Sequence, residues 1–212
     1  RHNCDKHRYF QTMGEELFAV LADQPEYVMG MQGLALRIMG DEINEKIEEA
    51  DISHIEWVDS DVFHQGSLHG HLYRIVESVN TRRVLMVGPA KLREINANST
   101  LPLNYWVFVD IPARNAYLRK DETVAAIKKV LEVYSDDEEP LLISICASMP
   151  AEIILHEIYP LTKGRHTAID FGSLWDPLAG VASRKYHRAH GPDALVTARS
   201  TERHVTEAMR ES

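Results

Sequence analysis

The sequence predicts an α/β fold, a three-layer sandwich around a mostly parallel, Rossmann-like sheet. Three apolar runs, Val84 to Val87, Leu141 to Cys146 and Thr167 to Phe171, lack strict alternation. Strands covered on both faces have that pattern, and such strands belong to parallel sheets. Each run ends in a loop suited to meeting a ligand: Gly88-Pro89-Ala90, Ala147-Ser148-Met149-Pro150-Ala151-Glu152, and Asp170-Phe171-Gly172. Strand–helix alternation from Gly70 onward completes the signature. In open α/β sheets ligands bind at the carboxyl ends of the strands.

Phe10, Met13, Leu17, Phe18, Val20 and Leu21 give a helical stripe over Tyr9 to Asp23, and Pro25 ends it. Tyr27 to Met31 is a short strand, with Gly30 and Gly33 marking a turn. Asp41 to Ala50 is a polar helix with Ile43 and Ile47 at i and i+4, its acid run a solvated face. Gly70 to Asn80 is a helix with Leu72, Ile75, Val76 and Val79 on one side. After the strand at Val84 comes a second at Trp106 to Ile111, then a helix from Asp121 to Tyr134 with Val124, Ile127, Val130 and Leu131 inward. Ser135 to Pro140 is a charged surface connection. Pro150 suits the first turn of a helix reaching Tyr159. Residues 1–181 form one domain in this reading. Residues 182–212, rich in Arg, His and Ser, are a peripheral basic tail with a short helix at Thr201 to Met209.

With 212 residues and 44% hydrophobic content, the chain can bury a substantial core. No stretch approaches the roughly 20 apolar residues of a membrane span, and the start does not read as a secretory signal. The chain begins at Arg1 rather than Met, so residues upstream are expected. Cys4 and Cys146 do not make a disulfide framework; Cys146, in an apolar run, reads as a buried thiol, and a reducing cytoplasm is expected. A formal net charge of -9 argues against broad electrostatic binding of nucleic acid.

The loop Ala147 to Ala151 lies between a buried strand and a helix. Backbone N–H groups at a helix start, with small residues for access, suit a phosphate or pyrophosphate; Ser148 would donate to it, or simply cap the helix. Gly88 would admit a ligand closely, and Lys91 would meet a phosphate. This is not a Walker loop, and no Gly-x-Gly-x-x-Gly is present. Asp170-Phe171-Gly172 matches the magnesium-binding tripeptide of protein kinases, but no catalytic-loop signature precedes it. Asp170 is a candidate to hold a ribose hydroxyl or a metal; the alternative is a turn-forming Asp before Gly. His64-Gln65-Gly66-Ser67-Leu68-His69-Gly70-His71 is the densest histidine cluster, yet lacks the further ligands of a zinc motif. Asp59-Ser60-Asp61 imitates the Asp-x-Asp of metal-dependent sugar transferases without a buried strand leading into it. No Ser-His-Asp or Cys-His constellation can be built from sequence position.

In order, Val84 to Ala90, Pro112-Ala113-Arg114-Asn115-Ala116, the helix from Asp121, Ser144 to Glu152, and Asp170-Phe171-Gly172 make a set that resembles the GT-D type of glycosyltransferase. Asn3 to Phe10, followed by a helix, is similar to members of that group, phage-type relatives included. The resemblance covers roughly residues 61–175 and makes residues 1–181 a glycosyltransferase-like domain. It implies a nucleotide-sugar donor, usually a UDP-sugar, and a divalent metal, Mn or Mg. Gly88, Pro89, Lys91, Asn115, Ser148, Met149, Asp170 and Gly172 would then line the donor site. The family's Asp-x-Glu motif is absent, its place falling upstream of Arg1, and Gly88-Pro89 stands where the family has an acid. Asp5, His7 and His64 are the titratable candidates for deprotonating an acceptor, whether glycan, protein or DNA. For a DNA acceptor, Arg184 to Arg188 would be the contact; a solvated basic tail is the plainer reading. Self-association into a homo-oligomer is left open. The other classes are a binding or regulatory protein without turnover, and a different α/β enzyme acting on a phosphorylated nucleotide.

Overall fold

A computed structural model describes residues 10–23, 26–52, 55–134 and 139–199. It is mixed α/β with parallel sheets. Four strands, β3 (Arg83–Gly88), β4 (Val107–Asp110), β5 (Leu141–Ile145) and β6 (Thr167–Asp170), pair in the order β4-β3-β5-β6, every pair parallel. The register sets Leu85 beside both Val107 and Ile143, and Ile143 beside Ala168.

Successive side chains of these strands feed two separate apolar layers, which is why the runs do not alternate with polar residues. Val84, Met86 and Leu142 join Leu72, Val76 and Val79 of α4 (Leu72–Asn80), together with Leu92, Ile95 and Trp175. Leu85, Val87, Ile143 and Ile145 meet Val124, Ile127 and Leu131 of α5 (Lys120–Val133), and Ile154 and Ile158 of α6 (Ala151–Thr162). Connection handedness accounts for this division. The chain leaves β3 toward β4 in one direction, by a 3-10 segment at Ala90–Ala97, and returns through α5 and α6 in the other. Right-handed crossovers running in opposite directions lie on opposite faces. Within the first layer Trp175 is fully buried, and its indole N–H donates to Ser144 Oγ at 2.9 Å.

Ahead of this sheet lie α1 (Phe10–Ala22), β1 (Met29–Met31), α2 (Gly33–Glu49), β2 (Trp57–Asp59) and α3 (Val62–Leu68). Here β1 and β2 form a separate two-stranded parallel sheet, Met29 beside Trp57. Gly33 does not mark a turn: it opens α2, because Ala35 to Met39 favour helix and extend the expected Asp41–Ala50 segment by two turns, with a kink at Met39. Pro150 is the residue before α6 rather than in its first turn.

The segment after Ala182 also departs from a peripheral tail. α7 (Lys185–His190) and α8 (Pro192–Thr197) follow, and Val196 enters the first apolar layer while His187 is fully buried. The signal is short because each helix is under two turns, too brief for a stripe to recur. The expected Thr201–Met209 helix, Cys4 and most of the Ser135–Pro140 connection lie outside the described residues. Cys146 is a buried free thiol, and burial pushes its pKa well up, helped by the charges of Asp170 and Asp176. Among the described residues no helix is long and apolar enough to cross a membrane.

Candidate functional site

A cavity of about 880 Å³ opens between β6 and the β1–β2 sheet. One stripe of α6 lines it, Glu152, Leu155, Tyr159 and Thr162, while Ile154 and Ile158 turn to the sheet. That division follows from helical spacing: residues three and four apart share a face. β6 contributes along its length and ends at Asp170. Gly172 then takes φ 56°, a left-handed conformation, and its N–H donates to Asp170 Oδ1 at 2.8 Å. The turn expected of Asp before Gly and the aim of Asp170 into the cavity are therefore the same structure.

Two carboxyl groups, Glu152 and Asp170, line this cavity. Glu152 is held protonatable up to about 8, first by burial and then by the neighbouring Asp170 charge. Its Oε2 is buried and has no hydrogen-bond partner. Asp170 is pushed up to about 6 by burial, against the opposing pull of the Gly172 N–H and the Arg184 guanidinium. Arg184 enters from the residue before α7 and is steadied by donating from Nε to Ser173 Oγ at 2.9 Å. At the opposite side Asp59 and Asp61 line the cavity, the Asp61 N–H donating to Asp59 Oδ1 at 2.9 Å. A short strand, β2, does lead into this Asp-x-Asp, although it is too exposed to read as a buried run. His64 also lines the cavity, its ring stacked on Tyr186 at 4.1 Å between centroids.

The sequence candidates thus separate. His64, Asp170 and Gly172 come together in the cavity; Gly88, Pro89, Lys91, Asn115, Ser148 and Met149 are not among its lining residues. At Gly88 a Cβ would lie 2.8 Å from Leu92 Cδ1 and 3.4 Å from Cys146 Cβ, so its smallness admits the core's own side chains. Lys91 is engaged by buried Asp176 at 2.7 Å. Ser148 makes no side-chain cap; it holds φ 61°, and its carbonyl accepts the Ala151 N–H. Asn115 likewise sits at φ 54°, before a 3-10 turn. Met149 packs beside Met13 and Ile153. Asp5 and His7 lie outside the described residues.

Glu152 and Arg184 are the residues that sequence reasoning did not single out individually. An acid two positions after Pro150, opening a helix, was one available signal for the first; for Arg184 there was none, since a basic stretch normally stays in solvent. Among the described residues no three His, Cys, Asp or Glu side chains converge as a metal would require. His69 and His71, at the ends of α3 and α4, form no such set. Comparison with protein-family models, with curated proteins and with solved structures finds no match for this chain.

Proposed function

We propose that this chain is a glycosyltransferase on a Rossmann-like three-layer sandwich, moving a sugar from a nucleotide-sugar donor to an acceptor hydroxyl in the cytoplasm. The observation that carries the reading is the cavity at the carboxyl end of β6, which combines the Glu152–Asp170 pair with the Arg184 cation. Its volume suits a ligand of nucleotide-sugar size. Carboxyls accept hydrogen bonds from ribose and sugar hydroxyls, and the guanidinium suits a diphosphate. Of the motifs that resemble GT-D enzymes, Asp170-Phe171-Gly172 lies at this cavity and supports the same reading. A divalent cation, implied by that resemblance, would offset charge on the departing diphosphate. The described residues do not supply three protein ligands for it, and the roles proposed below rest on side chains alone.

The donor is tested by following thermal stability with UDP-, GDP- and dTDP-sugars, each with and without Mn²⁺. A ligand at a hundred times its Kd stabilises by about 2.7 kcal/mol, roughly 5–10 °C for a chain of this size. One donor is expected to give such a shift, with release of its nucleotide when acceptors are supplied. No shift from any donor would remove this reading. The second reading, a nucleotide-sugar-binding protein without turnover, is favoured by the lack of a three-ligand set among the described residues. It predicts the same shift with no nucleotide released.

A further inference from the structure

We propose that Glu152 and Asp170 act together as the acid/base pair of the cavity, receiving the proton of the acceptor hydroxyl. The chemistry rests on the glycosyl-transfer reading; the shared proton itself does not. Three observations converge. First, the two carboxyls come from different elements, the first turn of α6 and the end of β6, and both line the same cavity. Second, Glu152 Oε2 is buried and has no hydrogen-bond partner among the described residues. A buried ionised oxygen in that condition is strongly disfavoured, whereas a protonated one can donate to a neighbouring carboxylate. Third, the Asp170 charge acts on Glu152, and like charges that act on each other do not ionise independently; the pair titrates as a unit and holds one proton through a range where ordinary carboxyls hold none.

The surrounding charges agree with this. Arg184 draws Asp170 toward its charged form, whereas Glu152 is drawn that way by a backbone hydrogen bond of its own residue. From the end of β5, Cys146 faces Asp170 as a neutral thiol, its own pKa raised by burial and by that carboxylate. Tyr27, ahead of β1, stays a neutral phenol, pushed up to about 12 by burial and by nearby acids that include Glu152. Across the cavity stand Asp59, Asp61 and His64, and at its other end Lys163, engaged with Glu26, and His166. Arg184 therefore holds Asp170 as the charged member while Glu152 keeps the shared proton.

In the transfer, the acceptor O–H bond breaks and its proton passes to Asp170. The acceptor oxygen's electron pair forms the bond to the anomeric carbon. The bond from that carbon to the nucleoside diphosphate breaks, and its electron pair leaves on the diphosphate. The pair, now holding two protons, returns one to solvent through the open cavity. A matched pair with separated affinities is the general arrangement for acid and base work near neutral pH.

The test is a side-chain carboxyl ¹³C NMR titration of the whole chain, as wild type, Glu152→Gln and Asp170→Asn. The expected result is one Glu carboxyl still protonated near neutral pH, absent from Glu152→Gln. In Asp170→Asn that carboxyl should ionise at lower pH, because its like-charged neighbour is gone. Wild-type carboxyls that all ionise in the usual acidic range would overturn the pair. So would a Glu152 titration that Asp170→Asn leaves unmoved. The second arm uses the donor that stabilises the wild type. Glu152→Gln should keep that thermal shift while losing roughly 100-fold or more in transfer rate; full transfer in this variant overturns the catalytic role, and should it fail to fold, Asp170→Asn is held to the same comparison. If no donor binds the wild type, the nucleotide-sugar reading fails and the NMR arm alone decides the pair.

Discussion

Two parallel sheets occur among the described residues, and only one of them is a core. The strands β3 and β5 are almost wholly buried, with α4 on one face and α5 and α6 on the other. The β1–β2 sheet has two strands of three residues, and α2 beside it in sequence has no buried residue among those whose burial is described, while Leu36, Ile38 and Met39 stand exposed. Parallel pairing is thus not itself the source of stability. What differs is cover: a strand held between two helical layers removes both sets of side chains from water, at about 25 cal/mol per Å² of apolar surface. The cavity lies where the covered sheet ends and the less covered one begins, so it is walled on one side by rigid packing.

The largest expected effect breaks the covered sheet. Trp175→Ala should cost about 3–5 kcal/mol, read from urea denaturation, since it removes a fully buried indole and strands Ser144. Next comes a change at the boundary. Because the folded pKa of Glu152 is raised to about 8, its contribution is complete below the unfolded value near 4.5 and is lost as pH rises toward 8. Glu152→Gln should therefore gain on the wild type by roughly 2–4 kcal/mol as pH climbs through that window. Urea midpoints measured across it that stay parallel would refute this. His187 slopes the opposite way: burial lowers it to about 4, so its contribution is lost as pH falls from 6.5 toward 4. Ser144→Ala is smaller, about 1–3 kcal/mol, because it leaves the Trp175 N–H buried without an acceptor. Smallest is Ile38→Ser on α2, within about 0.5 kcal/mol, since the side chain is 72% exposed. A large loss there would mean that α2 is covered after all.

Legibility followed the same division. The four strands of the main sheet were readable at Val84, Trp106, Leu141 and Thr167: β3 and β5 because burial on both faces writes itself as an apolar run, β4 and β6 as short apolar runs although they are only partly buried. α5 was readable because 14 residues allow its stripe to recur. Trp57 to Asp59 was not, being three residues, one half-buried and two exposed, with no pattern to show. For the site, Asp170 and Gly172 were legible as an acid and a glycine closing a strand. Gly88 and Lys91 looked equally suited, but a glycine that admits Leu92 and a lysine held by Asp176 have the same letters as ones that admit a phosphate. Glu152 and Arg184 gain their meaning only from Asp170, which is 18 and 14 positions distant in the chain.

One feature of β6 bears on how copies of this molecule treat each other. The strand is four residues long and, among the described residues, bonds to β5 on one side alone. An unpaired strand edge invites a strand from a neighbouring chain. Here the invitation ends in the Asp170 carboxylate with Glu152 close by, so an incoming backbone would meet charge it cannot neutralise. A charge at such an edge is a general guard against edge-to-edge pairing, and Asp170→Asn should make the protein more prone to self-associate on concentration.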